Sequence, residues 1–303
     1  MFQFFANIFG YLLAFIYGLI NNYGLAIIVF TIFIKILFIP FSVKQQRTMK
    51  KTAKIQEQLK VIQFKYKNNP EKMNQEMMEL YKTEKMSPFS GCLTAIIQII
   101  LLFSIFYLVR SPLTYMQNIP EENMNNYITQ LQKSGKSVST AYPEIDIIRE
   151  YEFLKEQNPD DEYIDRANLE MNFLGLDLSK VPQQNLTDFT VYIIPVLYIV
   201  SSFISIKLST SIQQKNQKKA KESVPIDGTT GKELVPEEEK NEMDAVMQTN
   251  KMMSWFMPLM SVSVAMIAPL GLALYWLTNN ILMIMERLIL NKVIKTEEEE
   301  QDG

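Results

Sequence analysis

The sequence predicts an all-α polytopic membrane protein, with five transmembrane helices enclosing a hydrophilic groove and a cytoplasmic helical hairpin. Three observations predict it: long apolar segments with few charges, a Lys/Arg bias that alternates between the connecting loops, and one loop whose apolar residues recur at helical spacing. Of 303 residues 48% are hydrophobic, yet mean hydropathy is −0.01, because apolar spans alternate with very polar loops. There is no His and a single Cys, which excludes histidine general-base chemistry, His-based metal sites and internal disulfides; neither a metal nor a cofactor is expected. Cys92 begins an apolar span and reads as a small apolar residue there.

Residues 1–22 lack a positive leader, the first lysine being Lys35, so they do not read as a signal peptide. They are expected as an extracytoplasmic interfacial helix, with a sixth span as the alternative. Residues 23–43 form the first span, because between Tyr23 and Val43 only Lys35 and the Tyr23 phenol can ionise. At about 1.5 Å per residue this stretch crosses about 30 Å of hydrocarbon. The cytoplasmic hairpin follows at 44–87, the second span at 88–110, an extracytoplasmic loop at 111–188 and the third span at 189–209. A cytoplasmic loop occupies 210–251, and residues 213–250, dense in Lys and Glu, read as a flexible linker. The last apolar run is too long for one pass and divides at "APLGL" (268–272) into spans at 252–268 and 270–290, leaving an acidic cytoplasmic tail at 291–303.

Charge sets the orientation. Lys44 to Lys85 carries eleven Lys or Arg against five Glu, whereas Ser111 to Asp188 carries six against fourteen acidic residues. The first segment is therefore cytoplasmic and the second extracytoplasmic, with the N-terminus outside and the C-terminus inside. "KNQKKAK" (215–221), Arg287, Lys292 and Lys295 agree.

Lys35 is the anomaly of the first span. It lies nine residues from Lys44, about 13 Å along a helix, and a lysine stem snorkels only about 6 Å. An intramembrane charge costs about 3 kcal/mol on insertion scales, so this one should face protein or water. Thr31, Lys35 and Ser42 share a helix face; Thr94 and Gln98 pair in the second span. Tyr198, Ser202, Ser205 and Ser209 form a stripe in the third, and Trp276, Asn279, Asn280 and Met283 one in the last. Each stripe alone reads as interhelical hydrogen bonding. Together with a deep charge they outline a positively charged groove lined by Lys35, Thr31, Gln98, Ser202, Trp276, Asn279 and Asn280.

In the hairpin, Ile55, Leu59, Ile62 and Tyr66 recur at helical spacing, as do Met73, Met77 and Leu80 after "NNP". Two antiparallel arms with an apolar seam are expected, joined to the membrane by short polar connections at "QQRTMK" (45–50) and "KMSPF" (85–89). Met73, Met77 and the off-seam Met78 offer an adaptable apolar surface suited to varied partners. The basic charge alone could also suit nucleic acid, but that signal is nonspecific.

"QFKYKNN…ELYKTEKMSPFSGCL", "NFLGLDLSK" and "MMSWFMPLMSV…APLGLALYWLTNNI" resemble, in order and over nearly the whole chain, the YidC/Oxa/Alb family of membrane protein insertases. The resemblance implies five spans around a groove open to cytoplasm and lipid, and an insertase and chaperone of the bacterial plasma membrane. Its implied partners are nascent membrane proteins, the ribosome and membrane lipids, with action alone or beside the Sec translocon; it implies no enzyme activity and no nucleic acid cofactor. A positive residue in the family's first span, usually arginine, receives polar parts of the incoming protein, and by position that residue is Lys35. Lysine keeps the charge and loses the bidentate fork. Thr94 stands where the family has proline, Glu286 where glutamine is common, and the 111–171 loop is longer than in compact relatives.

Two other classes fit less well. A small secondary transporter or channel for an anionic solute would use Lys35, but it has no need of the cytoplasmic hairpin and no inverted repeat is recognisable. A membrane hydrolase would need a nucleophile motif, and neither that nor a P-loop occurs.

Overall fold

The computed structural model describes residues 2–84, 90–221 and 265–302. The described residues are predominantly helical: α1 (Phe2–Ile20), α2 (Tyr23–Lys65), α3 (Pro70–Thr83), α4 (Ser90–Arg110), five short helices α5 to α9 between Pro112 and Arg166, α10 (Ile193–Lys221) and α11 (Leu270–Asp302). One antiparallel hairpin, β1 (Asn172–Phe173) with β2 (Leu176–Asp177), pairs Asn172 with Asp177 and Phe173 with Leu176. Among the described residues three stretches are long and apolar enough to cross a membrane, Phe2–Ile20, Tyr23–Thr48 and Phe189–Leu208, and Ile99–Arg110 is a shorter apolar helix. All but the last four residues of the expected 252–268 span lie outside the described residues, as do 222–251 of the cytoplasmic loop and the "KMSPF" connection.

Two compact units make up the chain. The first comprises Met1–Leu37, Ile97–Ser202 and Met260–Met283. Here α1 buries one face, Ala6, Phe9, Gly10, Leu13, Ile16 and Tyr17, and exposes a regular apolar stripe, Phe4, Ile8, Tyr11, Phe15 and Leu19. Its buried face lies so close to α5 (Pro112–Tyr115) that a Cβ on Gly10 would overlap the Tyr115 carbonyl. Phe9 meets Phe30 of α2 at 5.9 Å, and Phe2 meets Phe103 of α4 at 5.3 Å. Asn21, at φ 51°, turns the chain between α1 and α2, a conformation asparagine tolerates well.

The 111–171 stretch, to which the sequence assigns no role, folds around a core of its own. Leu113, Met116, Tyr127, Leu131, Ile147, Leu154 and Ile164 are all fully buried. Glu144 ties α7 (Pro143–Arg149) to α5: its carboxylate accepts the Leu113 and Thr114 amides at 2.7 and 3.0 Å and the Thr114 hydroxyl at 2.6 Å. Tyr127 of α6 (Glu121–Lys133) donates to Asp161 at 2.5 Å, and Arg110 at the end of α4 donates to the Ala141 carbonyl at 2.6 Å.

The segment that follows pins two long helices at their first residues. Tyr23 N–H donates to the Glu170 carbonyl at 3.0 Å, and the Asn22 amide to the Asn172 carbonyl at 2.7 Å. At α11, Leu270 N–H donates to Lys180 and Gly271 N–H to Leu178, at 2.9 and 3.0 Å.

The second unit comprises Phe38–Ile96, Phe203–Leu259 and Ile284–Gly303. Its two arms are the C-terminal part of α2 and the whole of α3. α2 runs unbroken through Gln45–Lys50, so the short polar connection expected there is part of a continuous helix. Apart from Thr48, whose hydroxyl donates to the Lys44 carbonyl, these residues are good helix formers, with no glycine or proline to stop propagation. The helix passes Pro40, which removes one backbone donor without ending it. α3 starts where expected from its chemistry: the Asn69 side chain accepts the Lys72 amide at 3.1 Å, and Pro70 takes the first turn.

Candidate functional site

On α2, Tyr23, Ala26, Ile27, Phe30, Thr31 and Ile34 are buried, while Leu25, Val29, Ile32, Phe33, Ile36 and Leu37 are exposed. Lys35 is half-buried. Four residues after Thr31, it stands at the boundary between the inward face and the exposed apolar stripe, flanked by exposed Ile32 and Ile39. Thr31 itself is 2% exposed and donates its hydroxyl to the Ile27 carbonyl at 2.6 Å, so its polarity is satisfied inside its own helix.

The third and last stripes meet directly. Asn280 of α11 donates its amide to the Ser201 and Ser202 hydroxyls of α10 at 2.9 and 3.1 Å, and all three side chains are buried. The Ser201 hydroxyl in turn donates to the Tyr198 carbonyl at 2.8 Å. One turn earlier on α11, Trp276 packs on Tyr198 with ring centroids 6.0 Å apart. Ser202, Trp276 and Asn280 thus belong to one helix–helix contact, and Asn279 beside them is half-buried. The Gln98 and Thr94 side chains lie outside the described residues; Lys35, Gln98, Ser202, Trp276, Asn279 and Asn280 nevertheless fall in the same unit. Ser201 is a partner that period counting missed, because the stripe selects only Ser202 of the two adjacent serines. Ser104 is also buried, with its hydroxyl on the Ile100 carbonyl at 2.7 Å.

In the second unit the arms of the hairpin meet through named pairs. Tyr66 donates to Glu76 at 3.0 Å, Gln63 approaches the Met77 sulfur at 3.9 Å, and the Lys65 and Lys72 ammoniums lie over the Tyr66 ring. Ile55 is buried; Leu59, Ile62, Met73, Met77 and Leu80 are half-buried; Met78 is 46% exposed. The helical spacing therefore sorts seam from surface, with Met78 on the surface. Ser205 and Arg287 come together in this unit at 3.5 Å.

Outside the spans, burial raises the Glu144 carboxyl above its ordinary value, against four hydrogen bonds that favour the charged form. Asp188 moves the other way, to about 2, held by the Lys180 ammonium and by the Thr190 hydroxyl and amide. Among the described residues no cluster of acidic, His or Cys side chains could hold a metal ion.

A profile of the family described as 60Kd inner membrane protein matches residues 15–298. A membrane protein insertase YidC of Caldanaerobacter subterraneus subsp. tengcongensis is 44% identical over 102 residues, covering 34% of this chain and 50% of that protein. The one from Treponema denticola is 28% identical over 279 residues, 92% of this chain and 36% of that protein. That from Clostridium perfringens is 40% identical over 104 residues, 34% of this chain and 43% of the relative. The chain thus spans half or less of the length of these relatives.

Proposed function

We propose that this chain, which belongs to the 60Kd inner membrane protein family, is a membrane protein insertase. It receives hydrophobic segments of nascent membrane proteins in a positively charged groove and releases them sideways into the bilayer. The observation that carries this reading is the setting of Lys35: a half-buried cation inside an apolar helix, at the edge of the inward face beside buried Thr31 and Ile34. Such a charge is held at a cost of about 3 kcal/mol unless protein or water solvates it, and the same site lowers the cost of admitting an acidic, hydrated client loop. Once the loop has crossed, burial of about 20 apolar residues drives the client segment into lipid. No bond is made or broken, so the protein acts as a chaperone and not as an enzyme.

In this reading five helices span, the one at 252–268 included. The 111–188 segment lies outside and the hairpin in the cytoplasm, in the orientation that the Lys/Arg bias favours. Contacts of α1 with α5 and with Phe103, only seven residues from Arg110, favour a helix lying along the outer end of the bundle. Gln98, Trp276 and Asn279 line the groove with Lys35; Ser202 and Asn280 hold two of its walls together. Met73, Met77 and Met78 meet clients delivered by the ribosome, alone or beside the Sec translocon.

The test is reconstitution of the purified protein in liposomes with a single-span client bearing an acidic tail. Lys35→Arg retains insertion, whereas Lys35→Ala and Lys35→Glu impair it. Normal insertion of every acidic-tailed client by Lys35→Glu would remove the electrostatic role.

A further inference from the structure

Leu174 and Phe189 are the most exposed large hydrophobic side chains among the described residues, at 86% and 84%, and Leu186 between them is 66% exposed. Leu174 also stands at φ 52°, followed by Gly175 at φ 81°, in the two-residue turn between β1 and β2. Such turns favour Asn, Asp or Gly at both central positions, so a leucine there is adverse both for the backbone and for hydration. A turn that only reversed the chain would gain from replacing it.

The hairpin is held firmly, and it is held at the ends of membrane helices. Asn172 accepts the Asn22 amide through its carbonyl, accepts the Gly175 N–H through its side chain and donates its own N–H to Glu170. Phe173 covers Gly24 so closely that a Cβ there would lie 2.5 Å from its ring. β2 packs against the 3-10 helix Phe189–Tyr192 that opens the 189–208 span. From Phe189 the exposed apolar side chains continue as Ile193, Val196 and Val200, at helical spacing down that span. Phe189 is thus the first member of a stripe that faces hydrocarbon further along. Two of the neighbouring charges are engaged locally, Lys180 donating to Asp188 at 2.8 Å and Asp177 accepting the Ser179 amide and hydroxyl, while Glu170 stays exposed. These charges suit the hydrated headgroup level, with the apolar side chains alone reaching deeper.

We propose that the β1–β2 turn and the segment after it form a lipid-contacting foot, in which Leu174, Leu186 and Phe189 enter the headgroup and upper acyl region of the leaflet where α2 begins. Lipid is the occupant because the exposed surface is continuous with the lipid-facing stripe of a span. Its service is positional: with Tyr23 and Leu270 tied to Glu170 and Lys180, the foot fixes the depth at which the starts of α2 and α11 sit.

The test uses the 303-residue chain with its single cysteine replaced (Cys92→Ser), carrying a spin label at Leu174→Cys, Phe189→Cys or, as a control on α6, Lys133→Cys. In phosphatidylcholine–phosphatidylglycerol vesicles, labels at 174 and 189 should relax more with oxygen than with a water-soluble nickel chelate, the reverse of the label at 133. Leu174→Asn, which suits the turn, should leave detergent stability equal or higher while increasing chelate access at 189. The proposal is overturned if labels at 174 and 189 behave like that at 133, or are shielded from both reagents. It is equally overturned by spin–spin broadening at 174 that dilution with unlabelled protein removes, which would assign the surface to a second copy.

Discussion

Asn280 and Ser202 sit on different helices, 78 residues apart in sequence, and are joined by a buried hydrogen bond of 3.1 Å, with Ser201 sharing the same amide at 2.9 Å. Hydrogen bonds between membrane helices average about 0.6 kcal/mol and reach about 1.7 kcal/mol. Asn280→Ala should therefore cost about 1–2 kcal/mol in bicelle unfolding. In a double-mutant cycle with Ser201→Ala and Ser202→Ala, strict additivity would show that the clasp contributes nothing.

Gly10 and Gly18 lie on the same helix and should respond oppositely to alanine. A Cβ at Gly10 overlaps the Tyr115 carbonyl, a backbone atom that cannot rotate away, whereas one at Gly18 meets nothing within 4 Å. Gly10→Ala should destabilise by about 1–3 kcal/mol or more and expose residues 2–20 to protease. Gly18→Ala should be neutral or stabilising by up to about 1 kcal/mol in thermal unfolding.

Glu144 gives the 111–171 region a pH dependence of unusual sign. Its carboxyl is raised in the folded protein, chiefly by burial, so between the ordinary value of 4.5 and the raised value the native state holds more protons than the unfolded one. Its stabilising contribution is complete below 4.5 and declines as pH rises through that window. Asp188 acts in the opposite direction and much lower: its contribution is present above 3.8 and disappears as pH falls towards 2. Hydrogen exchange at Leu113 and Thr114, followed upward from pH 4.5, should show local opening becoming easier in the native protein, with a flatter profile in Glu144→Gln. Equal slopes in the two proteins would assign the dependence elsewhere.

Met78 separates the surface of the hairpin from its seam. It is 46% exposed, whereas Met77 beside it faces Gln63. Met78→Asp should change stability by no more than about 0.5 kcal/mol, as exposed substitutions do, while Met77→Asp should cost more. If the hairpin captures clients, Met78→Asp weakens crosslinking to ribosome-bound nascent chains at unchanged abundance. Unchanged crosslinking would leave the hairpin as a structural element.

Periodicity and charge made much of this protein legible in one dimension. Met78 falls off the seam by spacing alone, because side chains four apart on a helix share a face whatever the helix packs against. Tyr23 opens α2 after the polar pair Asn21–Asn22, and Leu270 opens α11 at the proline- and glycine-bearing turn that divides the last apolar run, since such breaks are local signals. Lys35 stood out because a charge in hydrocarbon is costly in any fold. What one dimension could not reveal was which polar groups meet. Thr31 spends its hydroxyl on its own helix, while Asn280 reaches across to two serines, and both carry the same signature in a helical stripe. The core around Tyr127 and Ile147 escaped notice although Met124, Tyr127 and Leu131 recur at helical spacing in α6, because the helices that cover them have only 4 to 7 residues, too short for a periodic signal of their own. Its buried carboxylate, Glu144, counted only as one negative charge in an acidic loop. Local patterns, acting over a few residues, marked the long helices and their apolar faces; which polar groups pair and which are buried, in contacts that join residues up to 153 apart as in Tyr17 and Glu170, came from the folded chain alone.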